Sequence, residues 1–435
     1  MRTGPHLTPK SWPKVVARKW LKMRCRTDEF QTDCSMTGTT ARMEARKNCS
    51  DQDPHAIVPE GVWPMEAEPL PGWAAPPPAT GTHHQNLRLF VGTWNVGGRS
   101  PHSSLRLWDW LSSPESADIY VFGFQEIVPL NAGNVLGAVV SGPAAEWLCL
   151  IRRALNRAGD TEPPRHCTSA RTGMSFSYLL SLEDDQPYEE EYAGQQHRYC
   201  LAACKQMVGL FMCVWVKEDL RSHISSLKVS CVGRGIMHCL GNKGSISISM
   251  KLHQTSFCFV CTHLASGEKE GDELRRNSDV VEILKKTKFC TASSRSPGSI
   301  LNHDKVIWLG DLNYRLASSC SYTKELLKKK DWQALLEKDQ LRIEQKAGRV
   351  FEGWEEGRIQ FAPTYKYLSN SDNYTVQKSK SKEKRRTPAW CDRILWRGEG
   401  MKQIWYARGE SRFSDHRPVY SLFLVQVDLQ ALRRT

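Results

Sequence analysis

Two segments place ionisable side chains inside runs that otherwise read as buried strand: VIWLGDLNYRL at residues 306–316 and RTPAWCDRIL at residues 386–395. Burying a carboxylate is costly unless a metal, a cation or hydrogen bonds offset it, so Asp311 and Asp392 are expected to have chemical work. Further polar residues recur where predicted strands end. Asn95 closes FVGTWN, Glu126 closes VFGFQE, His263 closes FVCTH, Asn313 follows Asp311, and Asp415 with His416 precedes RPVYSLFL. A lone Asn or His at a strand end is ordinarily a turn former or a satisfied core residue. Repetition at successive ends is better explained by a shared site, because ligands and catalytic groups gather there.

The residue types suit metal-assisted hydrolysis of a phosphate ester. Hard carboxylate and amide oxygens match Mg²⁺, which retains several waters and binds through one or two carboxylates plus a substrate phosphate. Glu126 is the expected metal ligand, with Asn95 orienting the ion or its water. Asp311 is expected to take a proton from the attacking water, and Asn313 to orient that water or donate to a phosphoryl oxygen. His416 requires a carboxylate to fix its tautomer and favour its charged form. Asp415 is adjacent, but neighbours in an extended segment point in opposite directions, which favours Asp392 as the partner. Asp415 is then left near the metal and the nucleophile, and His263 is expected to donate to the scissile phosphate from the other side.

Groups that hold phosphates not being cleaved are expected in three segments. Asn242 and Lys243 lie in CLGNKGSIS, a Gly-flanked turn where backbone amides and an ammonium can meet a phosphate. PTYKY supplies Tyr365 and Lys366, and KRRTPAW supplies Lys384 and Arg386. By itself the KSKSKEKRR run, residues 378–386, reads as a solvated loop; only its position beside RTPAWCDRIL promotes its last residues.

These segments resemble the inositol polyphosphate 5-phosphatase family, whose signatures read (F/I)-W-x-G-D-x-N-(F/Y)-R and R-x-P-A-W-C-D-R-(I/V)-L. Both are matched at every specified position. The resemblance covers residues 86–428 and implies an α/β fold. That fold is the DNase I-like four-layer sandwich of the endonuclease, exonuclease and phosphatase superfamily, two packed mixed sheets flanked by helices. The resemblance also implies similar metal and nucleophile roles, and supports pairing His416 with Asp392, since superfamily members hold the terminal histidine with the acid of the penultimate motif. It assigns Tyr365, Lys366, Lys384 and Arg386 to the phosphate at ring position 4. SWPKVVARKW, GPAAEWLCLIRRALN and KQMVGLFMCVWV make the chain similar to the plant type.

The expected activity is Mg²⁺-dependent removal of the 5-phosphate from a phosphoinositide, a soluble inositol phosphate or both, by direct attack of water. A nuclease of the same superfamily shares the Asn, Glu, Asp-x-Asn and Asp-His set, and a basic chain suits DNA. PAWCDRIL, PTYKY and GNKG fit the phosphatases instead, so nucleic acid is not the expected partner. A phosphoinositide-binding scaffold without turnover is disfavoured by the intact metal and base set.

The elements that must position these groups are strands with helices between some of them. LRLFVGTWNV, ADIYVFGFQE, MSFSYLLSL, QMVGLFMCVWV, LKVSCVGRGI, SISISMKL, SFCFVCTHL, KVIWLGDLN, RILWRG and RPVYSLFLVQV read as strands. Residues 143–157, 268–288 and 321–346 carry helical periodicity. Residues 28–85 show little hydrophobic periodicity and, from Pro59 to Pro78, frequent proline and glycine, which predicts a mostly disordered linker. Residues 1–27 contain eight Lys or Arg and no acid. There Trp12, Val15, Val16, Trp20 and Met23 share one helical face behind Ser11 and Pro13, the pattern of a basic amphipathic helix. Residues 86–428 are thus the catalytic domain and 429–435 a tail.

A net charge of +13 over 435 residues suggests a polyanionic partner without choosing among nucleic acid, a lipid surface and a soluble phosphate. Fifteen cysteines would suit a disulfide framework in a small secreted chain, but this chain is long and opens without an apolar signal-like run. Reduced thiols and an intracellular, cytoplasmic location are expected, with any membrane contact peripheral. Cys258 and Cys261 should face opposite sides of one strand, which argues against zinc. Cys200 and Cys204 carry no expected function.

Overall fold

The computed structural model describes residues 56–57, 84–102, 104–107, 111, 116–131, 134, 142–156, 198–235, 241–290, 297–377 and 386–429. Two sheets form the centre. The first has the strand order β1 (Ala56–Ile57), β4 (Tyr199–Met207), β5 (Leu210–Lys217), β3 (Ile119–Gln125), β2 (His84–Asn95), β13 (Val419–Asp428) and β12 (Met401–Arg408). The second runs β10 (Glu355–Glu356), β11 (Asp392–Arg397), β9 (Lys305–Asp311), β8 (Thr255–His263), β7 (Gly244–Leu252) and β6 (Ile224–Gly233). Pairing is antiparallel except β2 with β3 and β8 with β9, so both sheets are mixed.

The layering follows from strand alternation, because side chains two apart share a face. In β2, Leu87, Leu89 and Val91 enter the core between the sheets, where they meet Ile246, Phe259, Ile307 and Ile394 of the second sheet. Phe90 and Trp94 point the other way and pack with Trp147, Leu148 and Ile151 of helix α1 (Gly142–Leu155). In β9, Ile307 and Leu309 face the first sheet while Val306 and Trp308 pack with Val280 and Ile283 of α2 (Asp272–Lys286). The result is helix, sheet, sheet, helix, the expected four-layer sandwich. Gly123 allows the two sheets their close approach, since a Cβ there would stand 2.7 Å from Cys261 Sγ and 2.8 Å from Leu309 Cδ1.

Several local expectations change. The run QMVGLFMCVWV is a hairpin rather than one strand: Val208 takes a φ of 51° and, with Gly209, turns β4 back onto β5. CLAACK belongs to β4, where a register shift between Leu201 and Ala203 sends Cys200 into the inter-sheet core and Cys204 to the α1 side. Cys258 and Cys261 do face opposite sides, in the α2 layer and the inter-sheet core. The helix expected over residues 321–346 is broken into α3 (Cys320–Lys329), α4 (Trp332–Leu336) and α5 (Gln340–Lys346). Asp331 and Asp339 end continuity by capping, accepting from the N–H of Ala334 at 3.0 Å and of Arg342 at 3.1 Å. Ala56–Ile57, inside the expected linker, forms an edge strand on β4, and β2 starts at His84, before the expected boundary. The basic N-terminal segment, MSFSYLLSL and Lys384 lie outside the described residues. Among those described, no helix is long and apolar enough to cross a membrane.

Candidate active site

The alternation that builds the inter-sheet core also builds the site. Asn95 continues the inward series of β2, His263 that of Phe257, Phe259 and Cys261, Asp311 that of Ile307 and Leu309, and Asp392 begins the face carried on by Ile394. Each is the inward-facing residue nearest the same end of its strand. Register brings three of them side by side, with His263 opposite Asp311 and Asp311 opposite Asp392. Gly310 permits this crossing, because a Cβ on its backbone at φ +143° would fall 2.1 Å from the Thr262 carbonyl oxygen.

Two buried carboxylates facing each other need positive charge and donors. Asp392 Oδ2 binds His416 Nδ1 at 2.9 Å and accepts from Thr364 Oγ1 at 2.7 Å. One ligand atom from each of Asp311, Asp392 and His416 fits within a 4.8 Å cluster. Burial works against the imidazolium, but Asp392, Asp311 and Asp415 outweigh it and push His416 up to about 9. The ring lies 4.5 Å from that of Tyr365, and Trp94 Nε1 donates to the His416 carbonyl at 3.2 Å. The Asp392–His416 pairing expected from alternation is therefore present. Asp415 instead takes the Lys366 ammonium at 2.6 Å.

Around Asp311 the donors are dense. Oδ1 accepts from the Asn313 N–H at 3.0 Å, while Oδ2 accepts from Asn95 Nδ2 at 3.0 Å and lies 3.2 Å from His263 Nε2. Burial raises the proton affinity of this carboxyl, yet His263, His416 and Lys243 outweigh it and hold Asp311 well below the ordinary carboxylate range. Asn313 and Glu126 both adopt left-handed backbone, at φ 58° and 56°, conformations that cost a non-glycine residue and concentrate at functional sites. Asn313 Nδ2 donates to the Leu264 carbonyl at 3.1 Å, and Asn313 Oδ1 accepts from Arg315 Nη2 at 2.7 Å.

Three placements differ from the sequence expectation. Asn95 turns its amide nitrogen to Asp311 and, at 3.4 Å, to Glu126, while its Oδ1 accepts from the Gly97 N–H at 3.0 Å. It braces the acids, and in this orientation its oxygen turns away from any cation they would hold. Lys243 does not stand apart with Asn242 in a phosphate turn. Its ammonium meets His263 Nε2 and faces Asp311 and Glu126, and burial lowers its pKa against their pull. His263 is correspondingly turned inward; burial and Lys243 lower its pKa against the pull of Asp311 and Glu126, and Nε2 serves either Lys243 or Asp311 according to tautomer.

Glu126 and Asp415 are the more open acids, each with 29% of the side chain exposed, at the mouth of the buried group. Glu126 with Asp311 supplies the hard oxygen donors that a divalent cation such as Mg²⁺ or Ca²⁺ requires. In the fully buried Asp392, Oδ2 is taken by His416 and Thr364 while Oδ1 has no hydrogen-bond partner among the described residues, and the His416 pairing fits proton chemistry better than metal ligation.

Arg386 is held by Glu268, with Nη1 at 3.1 Å from Oε2. Reading the sequence missed Thr364, Arg315 and Glu268. Arg315 carries the signal that exposed Asp311, a charge inside a buried run; Glu268 lies in an acidic loop with nothing to single it out.

The sequence profile of the Endonuclease/Exonuclease/phosphatase family 2 matches residues 92–422. The chain is 59% identical to the type I inositol polyphosphate 5-phosphatase 8 of Arabidopsis thaliana, over 98% of this chain and 88% of that protein. It is 46% identical to the type I inositol polyphosphate 5-phosphatase 4 of the same plant, over 96% and 91%. Among solved structures, it resembles the inositol polyphosphate 5-phosphatase domain of spsynaptojanin in complex with inositol (1,4)-bisphosphate and calcium ion. The TM-score is 0.63 at 29% identity, covering 80% of this chain and 87% of that one.

Proposed function

The chain belongs to the inositol polyphosphate 5-phosphatase family, and from that premise we propose that the Asp311, Asn313, Asp392 and His416 cluster hydrolyses the 5-phosphate of a phosphoinositide or soluble inositol polyphosphate. The observation that carries this reading is the charge separation within the cluster. Asp311 is ionised and hydrogen-bonded from two sides, while His416, pushed up to about 9, is an imidazolium at neutral pH. A phosphate monoester needs that combination, an acceptor for the water proton and a cation for the phosphoryl oxygens.

Attack by water forms the new P–O bond, the bond to the ring oxygen breaks, and the leaving oxygen takes up a proton from solvent, balanced when Asp311 returns the proton it accepts to solvent. Asp311 orients the water and accepts its proton. A bound phosphate brings negative charge beside this carboxylate and raises its proton affinity from the depressed resting level. Asn313, fixed by Arg315 and by the Asp311 contact, sets the water's position. His416 donates to a phosphoryl oxygen, with Asp392 and Thr364 fixing its tautomer. Mg²⁺, held by Glu126 with help from Asp311, would supply charge neutralisation on the phosphoryl oxygens. The calcium in the spsynaptojanin complex supports a divalent cation, and its ligand, bearing phosphates at positions 1 and 4 and none at 5, has the composition of a product.

Lys366 and Arg386 are proposed to hold the ring 4-phosphate, exchanging their resting carboxylates for it, with Tyr365 completing that wall. A cytoplasmic location with peripheral membrane contact through residues 1–27 is proposed from their charge and amphipathic spacing. Phosphate release from inositol phosphates and from vesicle-borne phosphoinositides, with Mg²⁺ and with chelator, tests the activity. Plasmid nicking with inositol phosphates left intact would refute it.

A further inference from the structure

One acid outside the catalytic cluster joins two cations that the sequence segments place far apart. Glu268 lies on the loop after β8 and keeps 22% of its side chain exposed. Its Oε2 accepts from Arg386 Nη1 at 3.1 Å, and its Oε1 accepts from the Thr387 N–H at 3.0 Å. Oε1 also stands 3.5 Å from Arg315 Nη1. That Arg315 nitrogen is buried and makes no hydrogen bond among the described residues, because an ion pair at this distance falls short of one.

The rest of Arg315 is engaged with Asn313 and Tyr365. Its Nε donates to the Asn313 carbonyl at 3.0 Å and its Nη2 to Asn313 Oδ1 at 2.7 Å, while the guanidinium lies 4.5 Å over the Tyr365 ring. The group cannot swing to find another acceptor without releasing Asn313. Buried cationic N–H groups left without an acceptor are uncommon in folded proteins, and an anionic oxygen arriving there removes the penalty.

We propose that Glu268, which ties Arg386 to the Thr387 N–H and to Arg315 Nη1, is the resident anion of the subsite to which Arg386 belongs and a determinant of its specificity. The ligand class is a ring phosphate that is not cleaved. This rests on the reading of Arg386 as a holder of such a phosphate. With the site empty, the Glu268 carboxylate offsets the repulsion between two guanidinium groups and keeps Arg386 positioned. When the phosphate enters, it takes the Arg315 N–H that Glu268 does not satisfy and competes with Glu268 for Arg386. The resident charge therefore weakens binding of 4-phosphorylated substrate and product alike.

Glu268→Gln retains an acceptor for Thr387 and removes the charge. Steady-state kinetics on two soluble inositol phosphates that differ only in the 4-phosphate are the test. The 4-phosphorylated substrate is expected to show a KM lower by about tenfold, the scale of one charge-assisted contact. The substrate lacking it should move by less than about twofold. Glu268→Asp, which keeps the charge, should stay close to the native preference, and inositol (1,4)-bisphosphate should inhibit Glu268→Gln more tightly than the native chain. Should the amide fail to fold, Glu268→Ala carries the same comparison. Unchanged KM values, or losses on both substrates together with a lower melting temperature, would reduce Glu268 to a loop brace and overturn the proposal. Arg386→Ala, run in parallel, separates the two readings. If it leaves the 4-phosphate preference intact, the assignment of Arg386 is wrong; if it abolishes the preference while Glu268→Gln changes nothing, Glu268 alone is misassigned.

Discussion

Replacing Asp392 with Asn isolates the charge on His416. In the native chain three acids overcome burial to push this imidazole up to about 9, and relative to an ordinary value of 6.5 that favours the charged ring by about 3 kcal/mol. Asp392, at 2.9 Å, is the largest of the three contributors. Its loss leaves a buried ring with Asp311 and Asp415 alone opposing desolvation. His416 is then expected to titrate well below its native value, and kcat/KM at neutral pH to fall by about 10²-fold, the scale for losing a transition-state donor. The sign follows from the charged form being the active one: native activity should fall as pH rises through about 9, and the variant's alkaline limb should move to lower pH. Stability follows the same direction, since the charged pair contributes fully below the unfolded value of 6.5 and its contribution is lost as pH rises through about 9. The assay is a pH profile of kcat/KM with His416 titrated by NMR in both proteins. An alkaline limb that stays near 9 in Asp392→Asn refutes the argument, as does a larger shift in Asp415→Asn than in Asp392→Asn.

Asp311→Asn and Asn313→Ala should each cut turnover by at least about 10²-fold while the fold persists, as judged by near-UV circular dichroism. Lys366→Ala should weaken substrates with a 4-phosphate by about 1.5–3 kcal/mol relative to those without, read as a change in the kcat/KM ratio; equal losses on both remove it from that role. Asp339→Ala breaks the buried ion pair to Arg393 at 2.9 Å and removes the cap of α5, so unfolding in denaturant should show a loss of about 3–5 kcal/mol with activity per folded molecule retained. Deleting residues 1–47, which spares strand β1, should leave activity on soluble inositol phosphates unchanged and weaken activity on anionic vesicles, with added salt mimicking the deletion. A matching loss on soluble substrate would instead mark the segment as part of the catalytic fold's support.

The sequence by itself determined the layers and the chemical set. Apolar runs with strand alternation specify two-faced sheets, and polar residues at their ends announce Asn95, Glu126, His263, Asp311, Asp392 and His416 because a buried charge has few innocent explanations. Period-two geometry even chose Asp392 over the adjacent Asp415 for His416, since it is a local rule of extended chain. What tertiary structure decided depends on distant segments meeting. Asp392 and Arg393 are neighbours in one signature, yet one faces the site and the other lies buried on the opposite face between Asp339 and Glu356. Lys243 read as a phosphate-turn cation and became part of the Asp311 and His263 group, because pairing of β7 with β8 sets Gly244 opposite His263. Asn95 read as a helper of the metal, and which amide atom faces the acids was fixed by the Gly97 N–H. Glu268 was invisible for the same reason: an acid in a loop acquires meaning only when chain packing delivers Arg315 and Arg386 to it, and no local propensity encodes that encounter.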